Sequence, residues 1–368
     1  MFNLPLHIDT IASKCSRRER ITAAEAITLY REAPLWLLSK LAAERKESIC
    51  GDAIFYNRNF HIEPTNICRF KCRFCSYRRD AHSPEAWDYS IEEMVQMAQR
   101  YVDSGVTEVH IVGGVHPRHD LDFFVELIER VHTILPNVTI KAFTAVELAA
   151  MIKAAGLPLR EGLERLQRAG MGAIPGGGAE IFTPEIRNQI CPEKGSAEEW
   201  LEVHAVAHEL GLSTNATILY GHIESLEDRV DHLDRLRRQQ DLSGGFNAFI
   251  PLKYRSSHNE MSHLGEVSVV DDMRMMAISR LFLDNIPHLK AYWVMYGKAT
   301  TELALAFGAD DVDGTIDDST KIYSMAGAED QRPKITLAEI EAMAHRAGGR
   351  VVERDTHYNI IEGSSNFS

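Results

Sequence analysis

Three cysteines stand in eight residues, Cys68-Arg-Phe-Lys-Cys72-Arg-Phe-Cys75. Spacings of three and two let three thiolates converge on one soft metal centre. An iron–sulfur cluster normally takes four thiolates, and no fourth cysteine stands nearby in the sequence. A cluster held by three leaves one iron open for chemistry. The rival reading is a structural zinc site, with His82 as the fourth ligand. Zinc frameworks usually pair two knuckles, and here one short loop carries every cysteine.

Other residues that could do chemistry fall just after predicted strands. Gly113-Gly114-Val115-His116-Pro117 could bring backbone close to a ligand, because glycine has no Cβ. Gly176-Gly177-Gly178 precedes Glu180, and no Gly-Lys-Ser/Thr follows as a phosphate loop requires. Glu180 and Glu224 could accept hydrogen bonds from a ribose or an amine. A charge at a helix start is the competing reading. His222 reads equally as a core histidine or a catalytic one. Tyr77 could shield a metal centre or stack on a base, or simply pack. Arg69, Lys71, Arg73, Arg78 and Arg79 surround the cysteines; they could offset an anionic cluster or bind a carboxylate, and a solvated basic loop is the competing reading.

These residues need a frame that brings distant loops together. Strand-like stretches fall at about 60–64, 106–112, 138–143, 171–174, 214–220, 245–250 and 288–294. Helical stretches lie between them, at about 90–104, 120–135, 145–156, 183–191, 196–210, 225–240 and 271–285. Ser90 with Glu93, and Ser196 with Glu199, have capping-box spacing. The alternation predicts a parallel sheet, and seven units in this length predict a closed barrel. Asp313-Gly314-Thr315-Ile316 is a candidate eighth strand. In such barrels the loops at the carboxyl ends of the strands build the active site. Residues 17–50 read as helical, divided at Pro34. The tail adds a helix from Leu337 to Gly348 and then Arg350-Val351-Val352-Glu353.

The composition, 45% hydrophobic and 25% charged, is that of a globular chain. A net charge of −13 argues against a nucleic-acid-binding surface. No apolar run is long enough to span a bilayer, so no membrane role is expected. Met1 to Ser16 lacks the layout of a secretory signal. Six cysteines, three of them scattered (Cys15, Cys50 and Cys191), do not make a disulfide framework. A cytoplasmic location is the expectation.

The Cys-x3-Cys-x2-Cys loop after the first barrel strand, with Phe74 before its last cysteine, resembles that of the radical S-adenosylmethionine (SAM) superfamily. The resemblance implies an α/β fold: a TIM-type (β/α) barrel with N-terminal helical and C-terminal extensions. The boundaries expected are 1–52, 53–320 for the barrel core, and 321–368. It implies a [4Fe-4S] cluster on Cys68, Cys72 and Cys75, with SAM chelating the open iron. Gly113-Gly114-Val115 would meet the SAM amino group, Glu180 the ribose, and Glu224 the adenosyl part, with Tyr77 beside the cofactor. His61-Ile62-Glu63-Pro64-Thr65-Asn66-Ile67-Cys68 narrows the likeness to a subgroup. That subgroup holds the aminofutalosine synthases, the dehypoxanthine futalosine cyclases and the deazaflavin synthases. Lys141 to Glu147, Asn215 to Glu224 and Ala304 to Asp311 most resemble the first of these. For that family the adenosyl radical adds to the vinyl carbon of 3-[(1-carboxyvinyl)oxy]benzoate, on the way to menaquinone. The resemblance makes Arg78, Lys141, His222, Lys253 and Arg255 candidates to clamp this dicarboxylate, with Arg78, Lys253 and His222 foremost. An external one-electron donor such as flavodoxin or ferredoxin is implied. Ser76-Tyr77-Arg78-Arg79 departs from the family pattern of serine, two aromatics and arginine.

Overall fold

The computed structural model describes residues 4–315, 320–327 and 333–361. Ten strands are present among them. They are β1 (Ala53–Asn57), β2 (Asn59–Ile62), β3 (Glu108–Ile111), β4 (Thr139–Ala142), β5 (Met171–Ile174), β6 (Ser213–Tyr220), β7 (Phe246–Lys253), β8 (His288–Leu289), β9 (Asp311–Gly314) and β10 (Arg350–Glu353). Strands β2 to β8 form one sheet in sequence order, every pair parallel. A second sheet has the order β10-β1-β9.

The two sheets make one ring. Lys290, just past β8, bridges to Asp311 on β9, and β9 pairs with β1. Only Arg58 separates β1 from β2, so the chain returns to the first barrel strand. The expected barrel is therefore present, curled from seven strands and joined to its start through β9 and β1. The candidate strand at 313–316 begins two residues earlier, at Asp311, and Ile316 lies outside the described residues.

Helices link the parallel strands because a crossover needs a long connection. Helix Leu121–Ile134 turns Leu127, Ile128 and Val131 inward, and Ala197–Glu209 turns Trp200 and Val203. The Ser90–Glu93 capping box forms, with both reciprocal bonds. At Ser196 only half of the expected box exists: its hydroxyl accepts from Glu199 N–H, without the return bond. Between β4 and β5 a helix not foreseen, Leu159–Ala169, follows Pro158 and buries Leu163 and Leu166.

The expected strand at 288–294 stops at Leu289, and Trp293–Tyr296 is a helical turn. Aromatic and β-branched residues favour strands, but tertiary bonds win here. Trp293 Nε1 donates to Gly314 O at 2.9 Å, and Tyr296 Oη donates to Pro251 O at 2.8 Å. Each bond needs its ring buried against the sheet.

At the N-terminus, Thr22 caps helix Ala23–Glu32, and Pro34 breaks it from Leu35–Cys50. These helices pack on the outer-ring helices Leu226–Ser243 and Val269–Phe282. A further helix, Leu6–Ser16, precedes the helical stretch expected at 17–50 and lies within the expected N-terminal helical extension. The tail returns as helix Leu337–Arg346 and β10, which pairs with β1.

Candidate active site

The cysteine loop leaves β2 and is pinned along its length. Arg79 N–H donates to Asn66 O at 2.8 Å, and Tyr77 Oη donates to Thr65 O at 3.2 Å. Arg69 N–H donates to Val115 O at 3.0 Å, and Val115 N–H points at Cys68 Sγ at 3.3 Å. On the other side Arg73 N–H meets Ile190 O, and Lys71 N–H meets Glu193. The loop is thus held between the segments that follow β3 and β5.

The glycines after β3 serve this junction. A Cβ on Gly114 would lie 2.5 Å from Ile67 O, and one on Gly113 would lie 2.9 Å from Thr65 O. The close approach is between two loops of the chain. Gly114 N–H is already bonded to Thr65 O, and Gly113 N–H to Glu147 Oε1 at 3.0 Å. Glu147 also caps its own helix through Thr144. Burial pushes its carboxyl up to about 7.

All six cysteines are free thiols. Burial pushes Cys68 and Cys72 up. Cys72 and Cys75 face one opening, together with Arg78. Three soft donors on one loop, with an N–H directed at one sulfur, suit an anionic thiolate-ligated cluster. Cys191, scattered in sequence, is buried within electrostatic reach of Cys72. The segment after β5 delivers it.

Inside the barrel lies a cavity of about 280 Å³. Cys75 lines both this cavity and the outer opening. Phe74, Tyr77 and Gly113 form its wall at the cysteine loop, with Gly176, Gly177 and Gly178 from the loop after β5. Tyr292 and Tyr323 enclose the far side. Below them the barrel presents His61, Glu108, His110, Lys141 and Lys290.

None of the other expected residues, Glu180, Glu224, His222, Lys253, Arg78 or Arg255, is among those that line this cavity; Arg78 lines the outer opening. Glu180 takes a left-handed backbone, φ 50°, and pairs with Lys194, whose side chain lines the cavity. Glu224 accepts from Gly221 N–H at 2.5 Å and His222 N–H at 2.8 Å, and pairs with Arg229 at 2.7 Å. His222 Nδ1 accepts from Ile223 N–H at 2.8 Å, while Nε2 donates to Leu219 O at 3.1 Å. Both ring nitrogens are engaged in one turn, and burial lowers the imidazole pKa. Lys253 Nζ meets Asp272 at 3.0 Å, and Arg78 meets Asp80 and Cys68 O. Arg255 pairs with Glu266.

Sequence reading passed over Lys194, Lys290 and His110, and used His61 and Glu63 only as part of a resemblance. The two histidines sit at alternating strand positions that face inward, which was the available signal. Glu63 is buried, and its carboxyl is pushed up to about 7 by burial. It accepts from Thr320 Oγ1 at 2.8 Å and Lys321 N–H at 2.9 Å. Nothing local marks that contact, which spans 257 residues.

Residues 62–236 match the family model described as Radical SAM superfamily, and 243–366 match the CofH/MqnC C-terminal region. The aminodeoxyfutalosine synthase of Thermus thermophilus is 40% identical over 355 residues, covering 95% of each chain. The chain belongs to the radical SAM superfamily. Radical SAM enzymes use a [4Fe-4S] cluster and SAM, so this chain is an enzyme of that chemistry. The aminodeoxyfutalosine synthase of Streptomyces coelicolor is 37% identical, over 95% of this chain and 93% of its own. A Methanopyrus kandleri protein, 5-amino-6-(D-ribitylamino)uracil–L-tyrosine 4-hydroxyphenyl transferase, is 34% identical over 88% of each. Among solved structures, methylornithine synthase superposes with a TM-score of 0.74 at 16% identity, covering 93% of this chain and 97% of its own. The FeFe-hydrogenase maturase HydG of Carboxydothermus hydrogenoformans gives 0.74 at 18%, covering 95% and 80%. These likenesses establish the radical SAM barrel fold. No helix among the described residues is long and apolar enough to cross a membrane.

Proposed function

We propose that the protein is an aminodeoxyfutalosine synthase, joining the adenosyl group of SAM to 3-[(1-carboxyvinyl)oxy]benzoate for menaquinone synthesis. The observation that carries this reading is near-full-length identity to two such synthases, at 37–40%. The cavity supports it, with room for one aromatic ring and a charged floor opposite the cysteine loop. Cys68, Cys72 and Cys75 hold the cluster in this reading. When bound, the cluster supplies the electron that cleaves SAM into methionine and a 5′-deoxyadenosyl radical.

The chain's own residues then have physical tasks. Tyr77 and Gly113 line the wall where adenosine must reach the substrate. The N–H groups of Gly113 and Gly114 are engaged, so their carbonyls remain to accept from the SAM amino group. Val115 N–H serves a cluster thiolate. Glu180, steered by Lys194, is assigned to the ribose. Glu224 holds the turn of Gly221 and His222 beside the adenosyl region. We assign positioning roles to His222, Arg78 and Lys253: each is bonded to neighbouring chain and lies outside the cavity lining. The enclosing aromatics keep a carbon radical from water. Rigid walls hold the two reacting carbons in near-attack geometry.

The archaeal transferases, 34–36% identical, motivate one alternative: ribitylaminouracil and tyrosine as substrates. Anaerobic reconstitution with iron, sulfide, dithionite and SAM separates the two. With the enolpyruvyl benzoate, the product mass should contain the adenosyl group. Release of 5′-deoxyadenosine alone, or turnover only with tyrosine and the ribitylaminouracil, overturns the assignment. Flavodoxin or ferredoxin is the proposed class of natural reductant.

A further inference from the structure

Strand register builds an unusual layer inside the barrel. His61 on β2 pairs with His110 on β3, and His110 pairs with Lys141 on β4. The three side chains therefore point inward at one height, and the two imidazole centroids are 5.0 Å apart. Lys290, one residue past β8, faces the same cavity. Barrel layers are ordinarily filled by branched aliphatic residues. Burying ammonium groups costs several kcal/mol per ion unless their surroundings compensate, on the order of a whole domain's stability margin for a few such groups.

Each lysine is compensated by one carboxylate of the same cavity. Lys141 Nζ meets Glu108 at 3.0 Å, in the layer beneath, and Lys290 Nζ meets Asp313 at 2.5 Å. An ammonium carries three donors, so each lysine balances its charge yet retains donors. His110 Nε2 is buried with no hydrogen-bond partner among the described residues. Glu108 is already shared with Thr356, at 2.8 Å. Burial, together with the charge of Lys290, lowers the Lys141 pKa, so an added anion would favour its ammonium form. Glu108 and Asp313 line the same cavity as the lysines they pair, and the donors that each lysine and His110 retain are what the floor can offer to a ligand. Above it the walls are apolar and flat: Phe74, Tyr292 and Tyr323, with Ile250 and Leu252.

We propose that Lys141, Lys290 and His110 form a carboxylate-recognition floor that sets the substrate's orientation in the cavity. The inference rests on the proposed function and deepens it. Of the two carboxylates, the one on the ring is farther from the vinyl carbon. Seated on the floor, it directs the vinyl group toward Cys75 and the cysteine loop. The aromatic ring then lies between the apolar walls. Lys141 and Lys290 supply charge-assisted bonds, and His110 supplies a neutral donor through Nε2.

The test uses the full chain, reconstituted anaerobically, as wild type and as Lys290→Met, Lys141→Met and Lys290→Arg. Two readings are taken: KM for the enolpyruvyl benzoate and for SAM, and benzoate affinity of the unreduced enzyme by calorimetry. Each methionine variant should raise the substrate KM by about tenfold or more, while the KM for SAM stays within about twofold. Benzoate affinity should fall in parallel, and Lys290→Arg should recover part of both. An unchanged substrate KM in both methionine variants, with the cluster loaded, overturns the floor and leaves the proposed function standing. If wild type does not consume the enolpyruvyl benzoate, that function fails, and benzoate decides the floor alone. Lysine-dependent benzoate binding then supports it, and no binding by wild type overturns it. If a methionine variant does not fold, the Lys290→Arg enzyme and wild-type benzoate binding still give these outcomes.

Discussion

Each cysteine of the loop has its own surroundings. Cys68 faces an N–H from the neighbouring loop, Cys72 faces the opening, and Cys75 faces both the opening and the substrate cavity. Replacing any of the three by alanine should abolish the visible iron–sulfur absorbance after reconstitution and lower SAM cleavage by at least about a hundredfold. Cys191→Ser should keep both, because the loop already supplies a three-thiolate set. Absorbance spectra with 5′-deoxyadenosine or adduct quantified by mass check this pair. A cluster that survives Cys75→Ala would remove the assignment. The cysteines were legible because metal ligation is written in short-range spacing. The Gly113-Gly114 pair was legible as a close approach, but its partner is the Thr65–Ile67 backbone.

At the scale of elements, the segment 320–323 forms a wall of the cavity and is fastened by one carboxylate. Thr320 Oγ1 and Lys321 N–H both donate to Glu63, while Lys321 Nζ lies 4.2 Å from the centre of the Trp87 ring. Glu63 and Glu147 each have a folded pKa near 7, against an ordinary 4.5, because burial disfavours the charged form. The folded state therefore holds more protons than the unfolded state between these values. Stability is full below about pH 4.5 and falls as pH rises through about 7. The loss is up to roughly 3 kcal/mol per carboxyl. Thermal melts from pH 5 to about 7.5 should show the decline, and Glu147→Gln should flatten it. A melt series in which wild type and variant run parallel would remove the explanation. The helix and strand order was legible from periodicity and capping. The turn at Trp293–Tyr296 was not, since its aromatics bond to Gly314 and Pro251 from distant parts of the chain.

Across the whole molecule, the barrel is completed by its two ends. β1 and β10 flank the join, and Arg354, just past β10, is fully buried against Asp311 on β9 at 2.7 Å. Thr356 reaches Glu108 beneath the charged layer. The tail thus stabilises the same interior that bears the substrate floor. Removing one partner of a buried ion pair leaves the other charge uncompensated, so Arg354→Leu should destabilise by about 3–5 kcal/mol. Chemical denaturation of the full chain measures it. An Arg354→Leu, Asp311→Asn double variant should regain part of the loss, as a coupled pair does. The N-terminal helices pack on the outer ring, through Leu35–Cys50 against Val269–Phe282.

By itself the sequence determined the three-thiolate loop, the alternation of strands and helices, and hence a barrel with chemistry at the strand ends. Those features depend on residues a few positions apart, where spacing and periodicity act directly. Tertiary structure alone decided which side chains share the cavity. Register set His61, His110 and Lys141 at one height, and the ring's return brought Lys290 and Asp313 to them. The fold also left Arg78, His222 and Lys253 bonded to neighbouring chain and outside the cavity lining, because a buried charge or imidazole takes whichever partner the fold brings near.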